Sequence, residues 1–393
     1  MNSLILHELK KLLSNRILII VVFFLLFANA FNIYQTNDKY HDKYNLDVNE
    51  AEWSLYEIVE GDITSEKTKW LYEYIEKLQA VINGEQEELS SYFLNSHGDL
   101  SLATNLLHSI ETAIGYGDKI DKLVEENNKQ LEIYKQKENG YLIAKAELVN
   151  NTYSARQITS FYNVEAYNAY LNYDFSSFLI LLIVFLCTAS LYAGENETGM
   201  LPLMRSTPMG RVTLSNAKLN AMMMFLCIVS ILFFVCDFVM FFLCLRLRGI
   251  SNPVYSMSGF EYSPLVISIG NFMILSSLLK YLGFVCFSLI SCVFSSLLKK
   301  SYMVLVADFG TCICFMAMSV YSGGGLDYLN LINPINMLLC RDMFSTFNVV
   351  NIFDTPVFRY IISFICTALF VCILSVFINL LNNTNSTTKR CRK

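Results

Sequence analysis

Phe175-Ser-Ser-Phe-Leu-Ile-Leu-Leu-Ile-Val-Phe-Leu-Cys-Thr-Ala-Ser-Leu-Tyr192 carries no charge, and it runs almost directly into Gly194-Glu-Asn-Glu-Thr-Gly-Met-Leu-Pro-Leu-Met-Arg-Ser-Thr-Pro-Met-Gly-Arg211. As a helix, the first stretch is long enough to cross the ~30 Å hydrocarbon core of a bilayer. The second packs glutamates, glycines, prolines and arginines into a short polar loop that lipid contact does not require. A span followed by a loop shaped to meet another protein is the unit from which the rest of the chain is read.

Working outward, apolar stretches of the same kind recur at Ile17–Tyr34, Leu219–Leu245, Leu265–Leu298, Met303–Tyr321 and Tyr360–Leu381. The whole chain is 54% hydrophobic and only 16% charged, with a mean hydropathy of +0.41, far from a soluble profile. The fold class that follows is an all-α polytopic membrane protein with six transmembrane helices. The first span (17–35) is too long, and its flanks too poor in small residues, for a cleaved signal peptide. Residues 1–16 place Ile5, Leu9, Leu12 and Leu13 on one helical face, which predicts an amphipathic elbow helix lying at the interface. The stretch from Leu265 is too long for one upright helix, so a re-entrant segment over 265–279 is expected, with the span starting near Lys280. Residues 322–358 are semi-polar, with Gly323-Gly-Gly325 and Asn333-Pro334, and predict short external helices before the last span.

Charge divides the chain in two. Residues 36–174 carry 12 Lys+Arg and 25 Asp+Glu, a net of −13, and the remainder carries 17 and 9, a net of +8; together they give −5. An acidic, cysteine-free insert is thus joined to a basic membrane domain spanning 175–393. Within the insert Trp70, Leu71, Tyr74, Leu78, Val81 and Ile82 recur at helical spacing, with Gly84 placed to end the helix. Leu102, Leu106, Ile110 and Ala113 continue the period until Gly115-Tyr-Gly117, which is expected to break it. Ile120, Leu123, Asn127, Leu131 and Tyr134 form a heptad-like seam weakened by Asn127. The insert reads as an antiparallel helical bundle or hairpin. With the N-terminus inside, twelve basic residues flank the spans on the cytoplasmic side, and Arg246, Arg248, Arg341 and Arg359 flank them outside. That asymmetry makes both termini and loop 194–218 cytoplasmic and the insert extracellular. Frequent Asn, Lys, Ile and Tyr point to an AT-rich bacterial genome, and so to a bacterial plasma membrane.

Catalytic signatures are missing. Gly194 and Gly199 have phosphate-loop spacing, but Met200-Leu201 stand where Lys and Ser/Thr would be needed, so no ATP hydrolysis is expected on this chain. The four histidines are scattered outside the spans, and no metal or hydrolytic motif occurs. Asp237, Lys280 and Asp308 fall within spans, where a lone charge costs about 2.5–3.5 kcal/mol, so each needs a partner or water. Pairing of Lys280 with Asp237 or Asp308 would line a polar path, and snorkelling is the plainer alternative.

Glu195-x-Glu197-x-Gly199, followed by Ser206-Thr207-Pro208-x-x-Arg211 and Lys218, resembles the type-2 ATP-binding cassette (ABC) permease family. The likeness covers roughly 1–35 and 175–393, extends to members with a large external domain between spans one and two, and leaves the insert aside. Met200 departs from the threonine commonly found after that glycine. The resemblance implies that this loop docks on a separate cytosolic ATPase, which would hold ATP and Mg. It also implies a second permease chain, identical or different, in a lipid bilayer, without nucleic acid. A short helix over 200–206 would present Leu201 and Met204 to a groove, with Arg205 on its rim and Pro208 ending it. Export of a peptide antibiotic, a bacteriocin or another amphipathic compound is the implied activity, with sodium extrusion as a further family possibility. A non-transporting receptor or scaffold, binding a partner through the insert, is the competing class.

Overall fold

The computed structural model describes residues 2–43, 46–86, 93, 95–200, 212–320 and 330–384. Six helices are long and apolar enough to cross a membrane: Arg16–Thr36, Ala166–Glu197, Thr213–Leu245, Ile269–Leu297, Ser301–Val320 and Arg359–Leu381. The chain is an all-α polytopic membrane protein with a helical insert after its first span.

Helix α1 (Asn2–Leu13) packs on the third span. Leu9 is buried, and Ile5 and Leu12 pack against the main core, whereas Leu13 is exposed and Glu8 is buried in its place. The first span is the start of α2 (Arg16–Lys43). The insert holds α3 (Leu46–Val59), β1 (Gly61–Asp62), α4 (Ser65–Ile82), α5 (Ser96–Gln136), α6 (Gly140–Tyr153), β2 (Ser160–Phe161) and α7 (Glu165–Leu171). Its core gathers Leu55, Leu71, Ile75, Leu106 and Ile110 from α3, α4 and α5. Thr64 caps α4 by accepting the Lys67 N–H, and Gly84 follows its end at φ +75°, the left-handed position that glycine takes at lowest cost.

Two sequence expectations in the insert are corrected. Gly115-Tyr-Gly117 does not break the helix, because α5 continues through it to Gln136. Tyr116 is buried there, stacks on Tyr255 at 5.3 Å and donates to the Glu261 carbonyl at 3.0 Å. Those contacts outweigh the roughly 1 kcal/mol propensity penalty of each glycine. Asn127 strengthens its seam: its Nδ2 donates to the Ala146 carbonyl and to Asn150 Oδ1, both at 2.8 Å, tying α5 to α6.

In the membrane domain α8 (Phe175–Glu197) and α10 (Ile269–Leu297) lie at the centre. They are 67% and 56% buried over their apolar windows, against 17% for both α11 (Ser301–Val320) and α14 (Arg359–Thr384). Apolar residues all round each helix permit that placement. Ser288, Ser291 and Ser295 line the buried face of α10. Helix α9 (Val212–Leu245) bridges α1, α2 and α8.

The break expected at the end of 265–279 is absent, for α10 is one continuous helix and Lys280 lies within it. The surplus apolar length is covered by protein instead of lipid. The preceding loop folds over it and buries Val254, Met257 and Phe260 against Ile269 and Phe272. The expectation of helices alone over 322–358 is also revised. Gly323–Gly325 lies outside the described residues. After it come two short helices, α12 (Ile335–Leu338) and α13 (Cys340–Ser345), and then a hairpin of β3 (Val349–Ile352) and β4 (Thr355–Phe358). Its two-residue turn, Phe353-Asp354, has positive φ at both positions, the form that matches strand twist.

Candidate functional site

Glu195 sits on the last turn of α8 and is 8% exposed, at the mouth of the polar loop. Its carboxylate pairs with the Lys218 ammonium, whose residue is 1% exposed near the start of α9. Lys218 also donates to the Leu191 carbonyl at 3.3 Å and lies 5.2 Å from the Tyr192 ring centre. Tyr192 in turn bonds Ser215 through the two hydroxyls at 3.0 Å. Lys11 of α1 reaches Glu195 at 3.7 Å and Glu8 at 4.0 Å. One buried carboxylate therefore fastens the amphipathic helix and both helices that carry the loop. Such a charge is tolerated because it is paired, and the pairing fixes which helix faces meet.

Glu197 does a different job. Its Oε1 accepts the Ser301 N–H at 2.7 Å, placing a carboxylate at the N-terminus of α11, where the helix dipole favours it. Gly199, at φ +70°, takes the Asn196 carbonyl through its N–H at 3.2 Å and turns the chain out of α8. Leu201, Met204, Arg205, Pro208 and Arg211 lie outside the described residues. Of the two glutamates of the loop motif, Glu195 is thus buried in the membrane domain, whereas Glu197 is exposed at its surface.

The three ionisable residues within spans do not meet one another as expected. Lys280 pairs with Asp174, at the start of α8, at 3.3 Å. Asp237 accepts from Asn29 Nδ2 at 2.5 Å, and Asn29 Oδ1 accepts the Tyr173 hydroxyl at 2.9 Å, joining α2, α9 and the turn that precedes α8. Asp308 accepts from Ser291 at 2.6 Å, and Ser291 bonds Thr188 at 2.5 Å, so α8, α10 and α11 are stitched near the loop end. Asp237, Lys280, Tyr173 and Ser276 share a polar cavity of about 20 Å³, room for about one water. A charge swap, Asp174→Lys with Lys280→Asp, is expected to recover most of the folded yield lost in either single variant. Swapping Lys280 with Asp308 should recover none, and a cycle of four detergent-solubilised variants compared by thermal unfolding reads the difference.

Sequence reasoning missed Glu8, Lys11, Asn29, Tyr173 and Asp174 as partners, and took Lys218 as a flanking charge and the last residue of the loop motif, not as the partner of Glu195. A signal existed for Lys218. It stands seven residues inside a helix that is otherwise nearly uncharged, too deep for a flank. Asp174 gave none, since a carboxylate just before a span looks like ordinary loop.

Six spans, an N-terminal amphipathic helix packed on the third, and buried polar ties among their helices define a multi-pass membrane domain. The sequence model of the ABC-2 family transporter proteins matches residues 2–355, nearly the whole chain. The protein belongs to this family and is the transmembrane permease subunit of an ABC transporter, not the ATPase. Permeases of the family normally work with a cytosolic ATPase subunit and sit in the plasma membrane. Comparison with individually curated proteins finds no match.

Proposed function

We propose that this permease is the membrane half of an exporter whose ATPase docks on loop 194–218. The observation that carries the reading is the Glu195 node. A push on the loop acts at once on α1, α8 and α9, because one buried carboxylate fastens all three. Motion then passes as rigid-body displacement of packed helices, as small shifts do when packing is tight. In this reading the loop and both termini are cytoplasmic, the insert is extracellular, and ATP and Mg reside on the partner. Helices α11 and α14, largely uncovered, supply the faces for lipid and for a second permease chain, identical or not. The cargo is an amphipathic compound, such as a peptide antibiotic or a bacteriocin.

Docking through the loop has a direct test. With Leu201→Asp or Met204→Asp, co-purification of the candidate ATPase is expected to fall about tenfold or more, since a charge forced into an apolar groove loses roughly 1.4 kcal/mol for each tenfold. ATP hydrolysis by the reconstituted pair should drop in parallel. Unchanged association and turnover would overturn the assignment.

A further inference from the structure

A cleft of about 220 Å³ lies where the insert meets the loop between α9 and α10, far along the chain from the coupling loop. Its walls come from α3, α5, the segment around β2, and residues 252–261. The volume suits a single side chain or a small molecule, and lies below the range of drug-sized pockets.

The direction of the hydrogen bonds in the wall decides what the cleft can hold. Ser109 donates to the Asn105 carbonyl at 3.0 Å, and Thr112 to that of His108 at 2.8 Å. Tyr116 donates to the Glu261 carbonyl at 3.0 Å, and Tyr255 to that of Gln157 at 3.2 Å. Ser160 donates to Asn252 Oδ1 at 2.8 Å, and Ser256 to the Pro253 carbonyl at 2.7 Å. Each of these hydroxyl protons is committed to the protein, so what the hydroxyls still offer is lone pairs. Asn163, also in the wall, has a buried Oδ1 without a hydrogen-bond partner. Among the described residues no cation pairs with the Glu261 carboxylate, which lines the same cleft. Arg156, the nearby buried cation, is not part of the lining: its Nε and Nη1 donate to the carbonyls of Thr152 and Ser263, and its Nη2 has no hydrogen-bond partner. Its guanidinium lies behind the wall, 5.0 Å from the Tyr255 ring centre and 4.7 Å from that of Tyr153. Tyr56 adds an aromatic wall, held in place by stacking on Phe161 at 5.9 Å.

We infer that this cleft is a binding site for a primary ammonium group, carried either by a small amine or by a lysine side chain of a peptide. Acceptors, one free carboxylate and an aromatic wall complement a compact cation with three N–H donors. Neither the ATPase nor the docking loop takes part, so the site stands or falls independently of the proposed coupling.

Intrinsic fluorescence can read occupancy in the full-length chain. The protein has two tryptophans, and Trp53 lies 6.4 Å from the Tyr56 ring. The probes are n-butylamine, its neutral counterpart N-butylacetamide, and the blocked tripeptide Gly-Lys-Gly with and without acetylation of the lysine. The charged probes are expected to bind about tenfold or more tightly than the neutral ones, as charge-assisted hydrogen bonds of about 1.5–3 kcal/mol require. Glu261→Gln, close to isosteric, should erase that preference. Ser109→Phe, at an exposed position on α5 that lines the cleft, should abolish binding by occupying it. Binding by both charged probes marks a free amine as sufficient, and binding by the tripeptide alone marks a peptide as the source; either result supports the site. Equal affinity for neutral probes, full retention of preference in Glu261→Gln, or no binding by any probe would overturn it.

Discussion

Glu195→Ala is expected to be among the most damaging single substitutions in the membrane domain, costing about 3–5 kcal/mol, the range for removing one partner of a buried ion pair. The loss follows from what is left behind. The Lys218 side chain is 2% exposed, and without the carboxylate its ammonium keeps one carbonyl, that of Leu191, and the face of Tyr192. Lys11 would lose its contact with α8 in the same step. Replacing both members, Glu195→Leu with Lys218→Met, should return the unfolding midpoint close to that of the parent, because the charge and its penalty leave together. The double variant should still lose ATPase coupling, since α1 is no longer fastened to α8 by charge. Thermal unfolding in detergent measures the first effect, and ATP hydrolysis in the reconstituted complex measures the second. Equal destabilisation by the single and the double variant would contradict the account.

Gly249→Val should nearly match it at the opposite end of the molecule. Gly249 holds φ +76°, and a Cβ built there would lie 2.6 Å from both Cβ and Cγ of Tyr162. Left-handed backbone costs a branched residue about 1–2 kcal/mol, and forced repacking adds about 1–3 kcal/mol. The sum, roughly 2–5 kcal/mol, falls on the joint between the insert and the loop that caps α10. Gly84 supplies the control: its φ is +75°, but nothing lies within 4 Å of a built Cβ. Gly84→Ala should therefore show only the backbone part, about 1 kcal/mol. Hydrogen exchange of the backbone around Tyr162 and Ser160 is expected to quicken in Gly249→Val and to stay unchanged in Gly84→Ala. Matching behaviour of the two variants would mean that Tyr162 yields freely and that the joint is looser than its geometry implies.

Some of the architecture was legible because one physical quantity governs it. Apolar length against bilayer thickness gave the number of spans, six, and the spacing of Ile5, Leu9 and Leu12, though not Leu13, anticipated the packed face of α1. Where two burial environments compete, that quantity fails. The run from Leu265 is equally apolar whether lipid or the Val254–Phe260 loop covers it, so hydropathy could not tell a broken helix from a capped one. Gly115 and Gly117 illustrate the same limit in the insert, where propensity predicted a break and the packing of Tyr116 prevented it.

The candidate sites divide along the same line. Sequence alone determined that this is a polytopic permease with a polar loop after its second span, and that the charges at 237, 280 and 308 needed a partner or water, because a lone charge in hydrocarbon is too costly to persist. It could not determine which partners. Asp174 for Lys280, Asn29 for Asp237 and Ser291 for Asp308 are choices made by helix rotation and register, which are set by the packing of side chains distant in the chain. The tertiary structure likewise decided that Glu195 turns inward to Lys218 and Lys11, while Glu197 stays exposed and caps the first turn of α11. Spacing places both at the loop; only the assembled helices show that the carboxylate oxygens of Glu195 are buried, where a charge needs a partner.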